Sequence, residues 1–302
     1  MNGAGRSATQ ATLLIVFSAV CFGSIAIFIT LAVGSGARLL DVLVWRYAIA
    51  AVLLVFASGS LAAVRAPGRR AIPLIVLAGG GQALIAFVSL SALKYIPAAT
   101  LTFLFYTYPA WVAVISALRG TERLTALRAA ALALSLAGLA LMVGMPGAGG
   151  GGLNPIGVML ALASALMYAL YIPMIDHFGR GIPPAVTSTY ASGGAAVVLF
   201  TAALFQGGLR VDLEPIAWLS IVLLAVVCTV LAFISFLRGL AVIGPVRTAI
   251  VSTVEPFWTA LLGSVVLGQV LGPRTLAGGM LIATAVIVLQ LVHRAGEPAP
   301  AS

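Results

Sequence analysis

The chain of 302 residues holds seven acidic side chains. Six of them, Asp41, Glu122, Asp176, Asp212, Glu214 and Glu297, fall beside Gly, Pro or Arg punctuation or in the tail, and Glu255 alone lies inside a long apolar run. An ionised carboxylate in hydrocarbon is costly unless it is paired, wetted or protonated, so an intramembrane acid is by default a functional candidate, for proton coupling or for holding a cation. The alternative is a structural acid hydrogen-bonded to a neighbouring helix. Thr248, Ser252, Glu255 and Thr259 follow at spacings of four, three and four, which places them on one helix face. Such a polar stripe either lines a water-filled cavity or serves as interhelical glue.

Other residue types extend this chemistry. Pro109 and Pro256 have no N–H for the carbonyl four residues earlier, which frees the carbonyls of Phe105 and Ser252 and predicts a kink in each helix. A kink beside a cavity offers backbone acceptors to a substrate, or it is packing alone. Within the aromatic run before and after Pro109, Tyr106, Tyr108 and Trp111 are candidates to stack a ring or a cation. Ser164, Tyr168 and Tyr171 form a weaker stripe of the same phase. Arg46 sits seven residues into an apolar run, roughly 10 Å deep, where it can pair with Glu255, hold a substrate carboxylate, or snorkel to the headgroups.

Several chemistries are excluded. An aspartyl protease needs two intramembrane acids, a metal site needs clustered ligands, and His177 and His293 stand at opposite ends of the second half of the chain. Cys21 and Cys228 lie in apolar runs without CxxC spacing. No Walker-type Lys-Ser/Thr follows a glycine loop, and no repeated charged ring or carbonyl filter suggests a channel. We expect no cofactor and no metal.

The elements that must position these residues are membrane helices. Hydrophobic residues make up 62% of the chain and charged residues 8%, far below the roughly 25% of a soluble domain. Apolar runs of about 20 residues are each long enough to cross about 30 Å of hydrocarbon. They predict helices near 11–33, 39–58, 71–93, 97–118, 126–144, 155–175, 184–205, 214–237, 245–268 and 272–293. Glu255 would lie about 15 Å into the ninth, near the midplane. The net charge of +9 is spread between spans rather than clustered on a soluble face, so the partner is membrane lipid and not nucleic acid.

With the N-terminus inside, the inner segments carry 11 Lys and Arg and the outer loops 4, Arg46 being counted on neither side. This predicts both termini in the cytoplasm.

The chain also repeats itself. At an offset of 147 residues, Leu93–Ala113 falls on Leu240–Ala260 without a gap, pairing Pro109 with Pro256 and Trp111 with Trp258. The shared Pro-x-Trp argues for duplication of a five-helix unit, and an odd number of spans per unit makes the two copies face opposite ways. The units are read as 1–146 and 155–294, joined by a Gly-rich linker at 147–154 and followed by a tail at 295–302. Small-residue groups at Gly79–Gly81 and Gly193–Gly194 permit close helix contact, within one chain or between two.

The duplicated unit, the passage ALKYIPAATLTFLFYTYP (Ala92–Pro109) and the Glu255-Pro256 pair followed by Phe257 resemble the drug/metabolite transporter superfamily, EamA type. Phe22-Gly23 stands where that family commonly has Trp-Gly, and Trp111 where an aliphatic residue is more usual. The resemblance implies an all-helical polytopic inner-membrane protein, with ten transmembrane helices as two inverted repeats around a central cavity. It also implies a secondary transporter, most such proteins being exporters of small metabolites such as amino acids. The expectation is alternating access, possible proton coupling, and a cavity lined by Glu255, Ser252, Thr248, Thr259, Tyr106, Tyr108, Trp111, Tyr168 and Arg46. An intramembrane enzyme or a channel is the alternative.

Overall fold

A computed structural model describes residues 2–59, 64, 68, 71–118, 126–143, 153–179, 181–252 and 254–296. Glu122, Glu297 and residues 147–152 of the linker lie outside them, as do the side chains of Pro109, Thr248, Asp176, His177 and His293. Every element among the described residues is helical.

Span one is Asn2–Gly23 and Ile25–Gly34, interrupted at Ser24, and span two is Leu39–Ala57. Span three begins at Ala71–Pro73, passes through a π-helical turn at Leu74–Ala78 and continues as Gly79–Ser91. Span four is Ala98–Phe105 and Tyr108–Leu118, and span five is Ala126–Val143. The second half repeats the plan with Pro155–Gly179 as span six and Pro184–Phe205 as span seven. Span eight is Pro215–Ala225 followed by a π-helical turn at Val226–Leu231 and by Ala232–Ser252; Val254–Leu267 is span nine and Pro273–Gly296 span ten.

One expected boundary is corrected. Spans eight and nine were to separate between 237 and 245, yet the helix runs unbroken over Ala232–Ser252. Arg238, Gly239, Gly244 and Pro245 read as loop punctuation, but neither glycine adopts a positive φ, and Gly239 is pressed against span one. A Cβ there would stand 2.6 Å from Ile15. Glu255 lies in Val254–Leu267, twelve residues and about 18 Å along the axis from Leu267.

The packing follows the duplication. Span two lies against seven, four against nine and five against ten, each with its own counterpart; span one against eight is answered by six against three, and one against nine by six against four. Exchanging the two halves leaves these pairings unchanged, as a pseudo-twofold relation requires. At the offset of 147, Phe105 and Tyr108, which flank the break in span four, correspond to Ser252 and Glu255.

Close backbone approach holds the halves together. A Cβ on Gly79 would stand 2.5 Å from the Gly194 Cα, so this pair of small residues joins spans three and seven within one chain, whereas Gly193 faces open space. Large apolar side chains such as Leu13, Phe56, Leu118, Met159 and Phe205 remain exposed around the bundle, the surface that lipid covers.

At the end that carries the loops after spans one and seven, Arg38 closes a latch between the halves. Its Nε and Nη2 donate to the two Asp41 oxygens at 2.6 and 2.7 Å, and its Nη1 and Nη2 reach the Gln206 and Gly208 carbonyls at 2.9 and 2.5 Å. The fully buried Asp41 also accepts the Arg210 backbone N–H at 3.3 Å, and Trp45 Nε1 donates to the Arg210 carbonyl at 3.2 Å. Positive φ at Gly207 and Gly208, 90° and 91°, turns these carbonyls inward. The hydrogen bonds with Asp41 push the Arg38 guanidinium up from its ordinary value.

Candidate functional site

The break in span four faces the start of span nine. Tyr106, the first residue after the helix Ala98–Phe105, points its hydroxyl across the bundle, 2.9 Å from the Ser252 carbonyl and 2.8 Å from Glu255 Oε2. The Ser252 carbonyl is the acceptor that Pro256 leaves without an intrahelical donor, and Tyr106 occupies it. One phenol thus reaches both the carbonyl and the carboxylate.

Span one seals the other side. Gly23 lies so close to span nine that a Cβ would stand 2.8 Å from the Glu255 carbonyl, 3.1 Å from Thr259 Oγ1 and 3.2 Å from Trp258 Cδ1. Thr259, fully buried, donates to the Gly23 carbonyl at 2.7 Å, and Trp258 Nε1 donates to Ser24 Oγ at 3.0 Å. Of the polar stripe, then, Thr259 works as helix–helix glue, while Glu255 and Ser252 stay half-buried.

Aromatic rings continue from the carboxylate. Tyr108 lies 6.1 Å from Tyr106 and 4.9 Å from Tyr168 of span six; Phe105 sits 5.1 Å from Tyr168, and Tyr171 stacks on Tyr168 at 6.2 Å. A line of phenols therefore runs from span six through span four to the acid in span nine. Ser164 does not join it, since its hydroxyl donates back to the Ala161 carbonyl at 2.8 Å. Trp111, the counterpart of Trp258, has its indole N–H buried with no acceptor among the described residues.

Arg46 does not pair with Glu255; the ion pair among the described residues is Arg38–Asp41. Its guanidinium is buried, lies 5.1 Å from the Tyr47 ring centroid, and donates through Nε to Thr229 Oγ1 at 3.1 Å. Burial inside the bundle also takes it away from the headgroups. Thr229 belongs to the π-helical turn of span eight and donates in turn to the Leu224 carbonyl five residues back, at 2.8 Å. The same corner contains Gln82, whose Nε2 donates to the Tyr47 hydroxyl at 3.0 Å.

Sequence reasoning alone did not find Gly23, Gln82, Thr229 or the Arg38–Asp41 latch. The i,i+3 spacing of Arg38 and Asp41 was a usable signal for the last; Gln82 and Thr229 carry none beyond being polar in apolar runs.

Both halves of the chain, residues 9–144 and 155–291, match the EamA-like transporter family. The chain belongs to that family. It is 27% identical over 278 residues to a Bacillus subtilis (strain 168) protein named "Uncharacterized transporter YcbK", covering 88% of each. It is 28% identical over 204 residues to an Archaeoglobus fulgidus protein named "Uncharacterized transporter", covering 66% of this chain and 69% of the relative. A solved structure described only as "Crystal structure of protein" superposes with a TM-score of 0.66 at 21% identity, over 96% of this chain and 99% of that one. At that identity the likeness shows the fold. This EamA-family chain is accordingly a ten-helix polytopic membrane protein built from two repeats, and its family is one of transporters.

Proposed function

We propose that the protein is a secondary active exporter of a small metabolite across the inner membrane, working by alternating access, without ATP and without chemical change to its cargo. Both termini face the cytoplasm in this reading, and the repeats rock against each other where spans four and nine meet. The substrate cavity is lined by Glu255, Ser252, Tyr106, Tyr108, Trp111, Tyr168 and Arg46, with Thr259 holding span nine in place.

The observation that carries this reading is the contact of Tyr106 with both the Ser252 carbonyl and the Glu255 carboxylate. A phenol has one proton and cannot satisfy two acceptors fully. When Glu255 is protonated, its own O–H donates to the Tyr106 oxygen, and the Tyr106 proton is released to the Ser252 carbonyl; every group is then served. When Glu255 is ionised, one acceptor goes short, and a desolvated carboxylate lacking its donors is unfavourable. Closure of span four on span nine thereby favours a protonated acid, and opening permits the ionised one, which is the coupling a proton-driven carrier needs.

Reconstitution into liposomes tests the reading. A compound that leaves protein-containing vesicles chemically unchanged, faster with an imposed proton gradient than without, supports it; a compound that appears only in altered form refutes it in favour of an enzyme.

A further inference from the structure

The guanidinium of Arg46 has no counter-ion among the described residues. The residue is 5% exposed, about two turns into span two, and among the described residues Nε alone of its five N–H donors has a protein acceptor, Thr229 Oγ1. The acids whose side chains are described are engaged or placed elsewhere. Asp41 is taken by Arg38 and the Arg210 N–H, Glu255 by Tyr106, and Asp212 and Glu214 lie in the loop before span eight. A desolvated cation with no anion is strongly unfavourable, and attraction to the Tyr47 ring compensates only part of that cost.

The surroundings are built to hold the guanidinium still and leave its outer edge available. Thr229, fixed by its bond to the Leu224 carbonyl in the π-helical turn, anchors Nε. Tyr47 accepts from Gln82, so its own hydroxyl proton is uncommitted. The two terminal nitrogens and this phenol supply donors of the kind that a planar, two-oxygen anion takes in a bidentate manner. A Cβ on Gly81, beside Gln82, would stand 2.9 Å from the Tyr171 ring, and from Tyr171 the phenols of Tyr168, Tyr108 and Tyr106 continue to Glu255, which puts the anion subsite and the acid on one path.

We infer that Arg46 is the anion-recognition residue of the substrate cavity and that the cargo is a small organic carboxylate, whose carboxylate group supplies the missing counter-ion. This rests on the transport reading above but makes a separate demand on the cargo. Thr229 acts as the positioning residue, through Arg46 rather than on the ligand.

The test uses the purified full chain in neutral detergent with benzoate, its uncharged isostere benzamide, and inorganic phosphate as probes of thermal stability. Benzoate should raise the unfolding midpoint saturably, and benzamide should not. Arg46→Gln should abolish the benzoate response, and Arg46→Lys, which keeps the charge and loses the fork, should weaken half-saturation about tenfold. Should Arg46→Gln fail to fold, Arg46→Lys and the contrast of benzoate with benzamide still decide. Equal responses to benzoate and benzamide, an unaltered Arg46→Gln response, or stabilisation by phosphate alone would overturn the proposal. Stabilisation by phosphatidylglycerol but not benzoate would assign the anion to a lipid headgroup and overturn it as well. Metabolite profiles of medium from overexpressing cells separate the two levels of the argument. Export of compounds without an anionic group sinks the Arg46 assignment and leaves transport standing, whereas no export above the empty-vector control sinks transport itself.

Discussion

Adding one methyl group at Gly23 should damage the site, while the same addition at Gly193 should not. A Cβ at Gly23 meets the Glu255 carbonyl at 2.8 Å, Thr259 Oγ1 at 3.1 Å and Trp258 Cδ1 at 3.2 Å, and the nearest of these is backbone, which cannot rotate away. Overpacking of this kind costs about 1–3 kcal/mol. Separating span one from span nine also weakens the 2.7 Å bond from Thr259 to the Gly23 carbonyl, a further ~1 kcal/mol. Alanine recovers up to ~1 kcal/mol of helix preference relative to glycine. The net expectation for Gly23→Ala is a loss of about 2 kcal/mol. For Gly193→Ala, where a Cβ meets nothing within 4 Å, only the helix gain remains. At about 2.1 cal/mol/K of unfolding entropy per residue, a chain of 302 residues shifts by about 1.5 °C per kcal/mol, so the thermal midpoint should fall by roughly 3 °C in Gly23→Ala and hold or rise slightly in Gly193→Ala. Equal midpoints for the two variants, or a larger loss at Gly193, would refute the packing of span one on span nine at Glu255.

Three more outcomes follow from named contacts. Arg38→Ala leaves the fully buried Asp41 without its ion pair and should cost ~3 kcal/mol, read as a lowered thermal midpoint, together with faster labelling of a cysteine placed at Ala37 by a membrane-impermeant thiol reagent. Tyr106→Phe removes one hydroxyl with two acceptors and should lower stability by about 1–3 kcal/mol and blunt the pH dependence of transport, which vesicle flux at several pH values measures. A reporter fused after residue 150 should be active on the outer side of the membrane; activity confined to the cytoplasm would reverse the orientation drawn from the Lys and Arg count.

The ten spans and their duplication were legible because membrane helices announce themselves as apolar runs, and because a Pro-x-Trp shared at a fixed offset is improbable by composition. Glu255 stands out in the sequence for a similar reason, as a charge in an apolar run has few explanations. The boundary after span eight was not, because Arg238, Gly239, Gly244 and Pro245 resemble loop punctuation while their helix is held by contact with span one. Partners across the bundle were also hidden. Pro256 signals that the Ser252 carbonyl is freed, but nothing in the chain says that a residue 146 positions away, Tyr106, will take it. Arg46 was open to three readings, and nothing in the chain marks its partner Thr229, 183 residues away. Spacing reports which residues share a face; it does not report which face another helix covers.

The central claim is that protonation of Glu255 couples to movement of cargo, and the vesicle flux of Glu255→Gln across a pH series measures it most directly. Glutamine keeps the size and most of the hydrogen bonding while fixing the group as neutral, so the variant should insert and fold as the wild type does. It should then either fail to transport under a proton gradient or transport at a rate that no longer changes with pH. A well-folded Glu255→Gln protein that reproduces the wild-type rate and its pH profile would contradict the account and leave Glu255 as a packing residue.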